Sequence, residues 1–98
     1  MTILYSRILA ILIQIPKGKV VTYKQVAELV GTSPRVVGNL IHRNPDPVKY
    51  PCHRVVKSDG SLASGYAFGG PVTQRRKLQK EGVIFHNNKI DLELYLYY

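Results

Sequence analysis

The chain has 98 residues, enough for one domain with one small core, and 45% of them are hydrophobic, too many for a disordered tail. Fourteen Lys and Arg against six Asp and Glu give a net charge of +8, which points to a polyanionic partner, most simply nucleic acid. No apolar run reaches the roughly 18–20 residues of a membrane helix, the apolar stretch Ile8–Ile13 lacks a small-residue cleavage site, and a single cysteine excludes an internal disulfide. A cytosolic or nucleoid protein is expected, nuclear in a eukaryote.

Leu4, Ile8, Ile11, Leu12 and Ile15 recur at three- and four-residue spacing and predict an amphipathic helix over 3–15, stopped by Pro16 and the turn Pro16-Lys17-Gly18-Lys19. Val20-Val21 is a short extended step. Thr22-x-x-Gln25 has the pattern of a capping box. It opens a second helix with Val26, Leu29 and Val30 inward and Gly31 at its C-terminal cap. Ser33 caps a third helix with Pro34 at the first position. Val36, Val37, Leu40 and Ile41 form its inward stripe, and Asn44 before Pro45 ends it. Residues 22–44 therefore outline a helix-turn-helix, although spacing alone fits an ordinary helical hairpin as well. Arg35 at the start of the second of these helices, and Gly38, which lets that helix approach another surface closely, favour contact with nucleic acid.

Pro45, Pro47 and Pro51 then frame an extended segment leading into Cys52-His53-Arg54-Val55-Val56, followed by the turn Ser58-Asp59-Gly60 and the loop Gly65–Gly70. Residues 71–81 read as a helix. Val83-Ile84-Phe85 and the alternating run Ile90–Tyr95 read as a β-hairpin about Asn87-Asn88. The expected fold class is α+β: a small, mostly helical winged helix-turn-helix domain whose short C-terminal hairpin is the wing.

The chemistry concentrates at Cys52. A thiolate is the nucleophile, so a reactive cysteine needs a group to take its proton. His53 is adjacent and Arg54 adds positive charge; neighbours in an extended segment point to opposite faces, so His53 would act through a bridging water. The competing reading is a buried, inert cysteine. One Cys with His42, His53 and His86 matches no zinc spacing, so no metal is expected.

Pro51-Cys52-His53-Arg54-Val55-Val56 resembles the active-site signature of the O6-alkylguanine-DNA alkyltransferases. Gly18-Lys19-Val20-Val21-Thr22-Tyr23, Ser33-Pro34-Arg35-Val36-Val37-Gly38, Arg43-Asn44-Pro45, Gly65-Tyr66, Gly69-Gly70 and Glu81-Gly82 follow the same family's order across residues 3–82. The resemblance implies a protein that flips an alkylated guanine out of duplex DNA and moves the O6-alkyl group irreversibly onto its cysteine, once per molecule. It implies Cys52 as acceptor, His53 as base through a water, Glu81 as the group orienting His53, and Asn44 in the hinge before the active-site segment. Tyr23 would donate to the leaving guanine and help turn the target phosphate, and Arg35 would fill the gap in the stack. Thr22, Ser33, Gly38 and Arg43 join Tyr23 and Arg35 as expected DNA contacts, and Pro51, Tyr66, Ala67 and Phe68 as pocket or lid. Flipping costs a few kcal/mol, and sequence-independent binding should be salt-sensitive.

The chain departs from the family in three ways. It begins at the DNA-binding part, so a single domain over 1–98 without the usual N-terminal domain is expected. The lid reads Gly65-Tyr66-Ala67-Phe68-Gly69-Gly70 rather than the commoner Tyr-Ser-Gly-Gly type. The tail Glu81-Gly82-Val83-Ile84-Phe85…Ile90-Asp91-Leu92 resembles the alkyltransferase-like proteins, which bind alkylated DNA without transfer and flag it for nucleotide excision repair. The expected partner is duplex DNA carrying O6-alkylguanine, met by a monomer. The alternative is a lesion sensor with a silent Cys52 that recruits nucleotide excision repair proteins. A plain winged-helix regulator would leave Pro51-Cys52-His53-Arg54 without a purpose.

Overall fold

In the computed structural model, which describes residues 2–98, the Thr2 hydroxyl accepts the Tyr5 N–H and starts helix α1 (Ile3–Gln14). Strand β1 (Val21–Thr22) follows the Pro16–Lys19 turn. The Thr22 capping box forms at the head of helix α2 (Tyr23–Val30): its hydroxyl accepts the Gln25 N–H at 3.0 Å, and Gln25 Oε1 accepts the Thr22 N–H at 3.0 Å. Gly31 ends α2 with φ 79°, a left-handed conformation that glycine adopts without steric cost. Ser33 and Pro34 start helix α3 (Pro34–Ile41) as expected. Two short helices joined by a tight turn thus stand at the centre of the domain.

The segment after the prolines differs from its expectation. Cys52–Arg54 is a turn of 3-10 helix rather than extended chain, and only Val55–Val56 is strand (β2). Cys52, His53 and Arg54 are buried together in this turn. β2 pairs with β1 in parallel, Val21 opposite Val55 and Thr22 opposite Val56. The Cys52 segment is therefore bonded to the residues that open the helix-turn-helix.

Helix α4 (Gly70–Lys80) comes next, then a two-residue hairpin of β3 (Phe85–His86) and β4 (Lys89–Ile90). Asn87 and Asn88 both take positive φ, 51° and 63°, the geometry of a type I′ turn. The hairpin stops there: 92–95 is a helical turn, α5 (Leu92–Tyr95), not strand. The alternation of Ile90, Leu92 and Leu94 is overruled by Asp91, whose carboxylate accepts the Glu93 N–H and caps the turn. After α5 the tail lies parallel to Val20, which bridges Leu96.

Two packed clusters result. Ile8, Leu12, Val26, Val37, Val55 and Cys52 belong to the larger one; Val20, Val56, Leu78, Val83 and Ile90 form the smaller. Leu29, expected inward, is 51% exposed, and Ala27 takes its place in the core. Among the described residues no helix is long and apolar enough to cross a membrane.

Candidate functional site

Cys52 is 2% exposed, walled by the main core and by Tyr23, Tyr50, Tyr66 and Phe68, which pack against that cluster. Its backbone N–H donates to the Tyr50 carbonyl at 2.7 Å, and the same carbonyl accepts Asn44 Nδ2–H at 2.7 Å. Asn44 Oδ1 in turn accepts the Asp46 N–H. One buried side chain therefore ties the exit of α3 to the approach to Cys52. Tyr5 adds a second tie, donating its hydroxyl to the Arg43 carbonyl at 2.7 Å. Burial pushes the Cys52 thiol above its ordinary pKa, outweighing a hydrogen bond from Asn44 and the positive charge of Lys77. At neutral pH Cys52 is a thiol and needs a base.

A base is present. His53 Nε2 lies 2.9 Å from Glu81 Oε2. Glu81 resists the upward push of burial because Arg54 and His53 hydrogen-bond to it, and its pKa lies below the usual carboxylate value. A carboxylate only accepts, so Nε2 carries the proton. Burial lowers the His53 pKa, against the pull of Glu81, and the ring is neutral at pH 7. Nδ1 is then a lone pair, and it is buried with no hydrogen-bond partner among the described residues. An orphaned basic nitrogen next in sequence to a protonated thiol is suited to take that thiol's proton, directly or through one water.

Arg54, expected to add positive charge beside Cys52, is buried and clamps the carboxylate: Nε donates to Glu81 Oε1 at 3.0 Å, Nη2 to Oε2 at 2.7 Å, and Nη1 to the Ile15 carbonyl at 2.6 Å. The bidentate fork fixes the plane of Glu81 and hence of His53. Gln74, which sequence reasoning passed over, is 1% exposed and donates to the carbonyls of His53 and Val55. The signal for it was there: Gln74, Leu78 and Glu81 share one face of α4 at helical spacing.

The expected DNA contacts fall into two groups. Arg35, Ser33 and Arg43 are exposed, and Ser33 also caps α3. A groove of about 600 Å³ runs between the helix-turn-helix and the 57–65 loop, lined among others by Tyr23, Lys24, Arg35, Gly38, His42 and Lys57, with no acidic residue on its walls. Thr22 stands apart from this group. It is buried, its hydroxyl is used in the capping box, and it has little side-chain surface for a phosphate. Tyr23 lines the groove and also packs on the Cys52 cluster, so it is the wall between the two. Burial raises its pKa, keeping the hydroxyl protonated and able to donate. A Cβ added at Gly38 would meet the Tyr23 ring at ordinary contact distance. Of the expected lid, Tyr66 and Phe68 pack edge to face at 5.8 Å over the cluster, Ala67 is exposed, and Pro51 is buried.

The pattern of the family described as 6-O-methylguanine DNA methyltransferase, DNA binding domain, matches residues 4–83. The chain belongs to that family. The methylated-DNA–protein-cysteine methyltransferase of Pyrobaculum aerophilum is 56% identical over 73 residues, 74% of this chain and 48% of that protein. S. pombe Atl1, solved in complex with damaged DNA containing O6-carboxymethylguanine, superposes with a TM-score of 0.86 at 28% identity, covering 100% of this chain and 99% of that one. The O6-methylguanine-DNA methyltransferase of Pyrococcus kodakaraensis superposes with a TM-score of 0.72 at 37% identity, covering 85% and 48%. The chain spans about half the length of the curated relatives it matches.

Proposed function

We propose that this chain, acting as one unit over 1–98, repairs duplex DNA by taking the alkyl group of an O6-alkylguanine onto Cys52 in a single turnover. The observation that carries the reading is the series of buried Cys52, His53 and Arg54 joined to the half-buried Glu81, with His53 Nδ1 free to accept. The base is turned out of the stack, the basic groove holds the phosphates, and Arg35 occupies the vacated space. His53 Nδ1 takes the thiol proton, and Glu81 stabilises the imidazolium that forms. Sγ attacks the alkyl carbon, the carbon–O6 bond breaks, and its electron pair moves onto the purine. Tyr23 donates to the ring as that charge develops. The products are an alkyl thioether and guanine, the thiol proton ending on the purine, with no cofactor in the balance.

Incubation with an O6-methylguanine duplex, followed by intact-protein mass spectrometry, tests this. A gain of about 14 Da on Cys52 is the covalent transfer expected of a nucleophilic cysteine, and Cys52→Ala should abolish the gain while retaining DNA binding. A second reading is supported by the likeness to Atl1 along both whole chains: a lesion sensor that binds damaged DNA for nucleotide excision repair. Lesion-selective binding with no mass change would select it.

A further inference from the structure

Helix α4 presents Gln74, Lys77 and Glu81 on one face, three and four residues apart. Gln74 is bonded to the His53 and Val55 carbonyls and Glu81 to the His53 ring, so this face lies against the Cys52 segment. Lys77 sits between them. Its ammonium donates to the Tyr66 hydroxyl at 2.6 Å and lies 5.1 and 5.9 Å from the centroids of the Tyr66 and Phe68 rings, the aromatic cover over Cys52. An ammonium has three donors, and the Tyr66 hydroxyl takes one. Among the described residues Lys77 has no carboxylate partner. Arg54 and Glu81 neutralise one another, while Tyr5, Tyr23 and Tyr66 are uncharged at neutral pH, burial moving their pKa values further up from the ordinary phenol range. The unbalanced charge beside the thiol is therefore that of Lys77, and it pulls the pKa of both Cys52 and His53 downward.

A group reacting at Sγ must bring its carbon to roughly 3–3.5 Å from the sulfur. In a carboxymethyl adduct the carboxylate is one bond beyond that carbon and comes to rest against the same walls. An unpaired anion there would be costly, whereas one facing a half-buried ammonium is compensated. We infer that Lys77 makes this site selective for O6-alkylguanines whose alkyl group carries a carboxylate, carboxymethyl being the smallest, over the neutral methyl adduct. The inference rests on the reading of Cys52 as the reacting end of an O6-alkylguanine site. Transfer follows the same balance: Sγ bonds to the methylene, the methylene–O6 bond breaks, and the product is S-carboxymethyl-Cys52 with guanine released.

The test is equilibrium binding to two duplexes differing only in O6-carboxymethyl or O6-methyl at one guanine, measured in Cys52→Ala protein so that transfer does not interfere. The carboxymethyl duplex should bind about fivefold more tightly, or about 1 kcal/mol at 1.36 kcal/mol per tenfold, the upper range for a partly exposed ion pair. Adding Lys77→Met should bring the ratio to one or below, and Lys77→Arg should keep it above one. Each ratio is taken within one protein, so a smaller folded fraction cancels. An unchanged ratio in Lys77→Met, or a preference for methyl with Lys77 in place, overturns the inference while leaving the O6-alkylguanine reading intact. Equal affinity for both damaged duplexes and an undamaged one overturns both.

Discussion

Arg54→Met probes whether the base is held by a charge clamp. The substitution removes hydrogen bonds of 3.0, 2.7 and 2.6 Å and leaves Glu81 with His53 alone. Deleting one partner of a fully buried pair costs about 3–5 kcal/mol. The Glu81 side chain keeps 12% of its surface, which places the loss at the low end. The stranded Ile15 carbonyl adds about 1 kcal/mol, and methionine packing returns a similar amount. A net loss of about 3 kcal/mol follows, and at about 4–8 °C per kcal/mol for a domain of this size Tm should fall by about 12–24 °C. Glu81→Gln, which strands Arg54, should also destabilise. The double variant leaves no unpaired buried charge, so its cost should fall short of the sum by about 2 kcal/mol. Urea unfolding of the four proteins, followed by circular dichroism, measures the cycle. Costs that add to within about 0.5 kcal/mol would refute the clamp.

The acid limb supplies a second prediction. Burial holds His53 below the ordinary imidazole value, so the unfolded chain takes up this proton first; the stability involved is present above about pH 6.5 and is lost as pH falls. Glu81, held low by Arg54 and His53 against burial, acts in the same direction below its ordinary 4.5. Alkyl transfer should fall with the same sign as His53 protonates, and His53→Asn should remove that limb; a rate that only climbs toward pH 9 would mean that the thiol ionises unaided. Arg35→Ala should weaken binding to damaged duplex about tenfold, within the ~1–3 kcal/mol of a groove arginine, and unchanged fluorescence anisotropy titrations would remove its role. Gly60→Ala should cost about 1–3 kcal/mol in thermal unfolding, because φ is 86° there and a Cβ would collide with the Ile90 carbonyl; an unchanged Tm would show that the contact yields.

Much of this was legible in the sequence because it is local. Thr22-x-x-Gln25, Gly31, Ser33-Pro34 and Asn87-Asn88 each state a backbone geometry within four residues, and each forms as written. The errors lie where a distant partner decides. Ile90–Tyr95 alternates like a strand, yet Asp91 caps a turn and Tyr95 docks on Val20, 75 residues earlier. Cys52–Arg54 forms a turn whose His53 and Arg54 side chains bond to Glu81 at the end of α4 and, for Arg54, to the Ile15 carbonyl at the end of α1, which no pattern around residue 52 announces. Leu29 looks like a core residue by spacing, yet it is 51% exposed. Arg54 was missed as a support for the same reason: its bonds span 27 to 39 residues.

The enclosure of Cys52 also bears on how the protein survives unused. Peroxides attack thiolates, and susceptibility follows thiolate character and access. A sulfur 2% exposed, with burial raising its pKa, offers little of either. The idle molecule is thereby protected from sulfenic acid formation and from mixed disulfides with small thiols. Under the proposed transfer, a sulfur that accepts one substituent for good would stay unmodified until a damaged base opened the way to it.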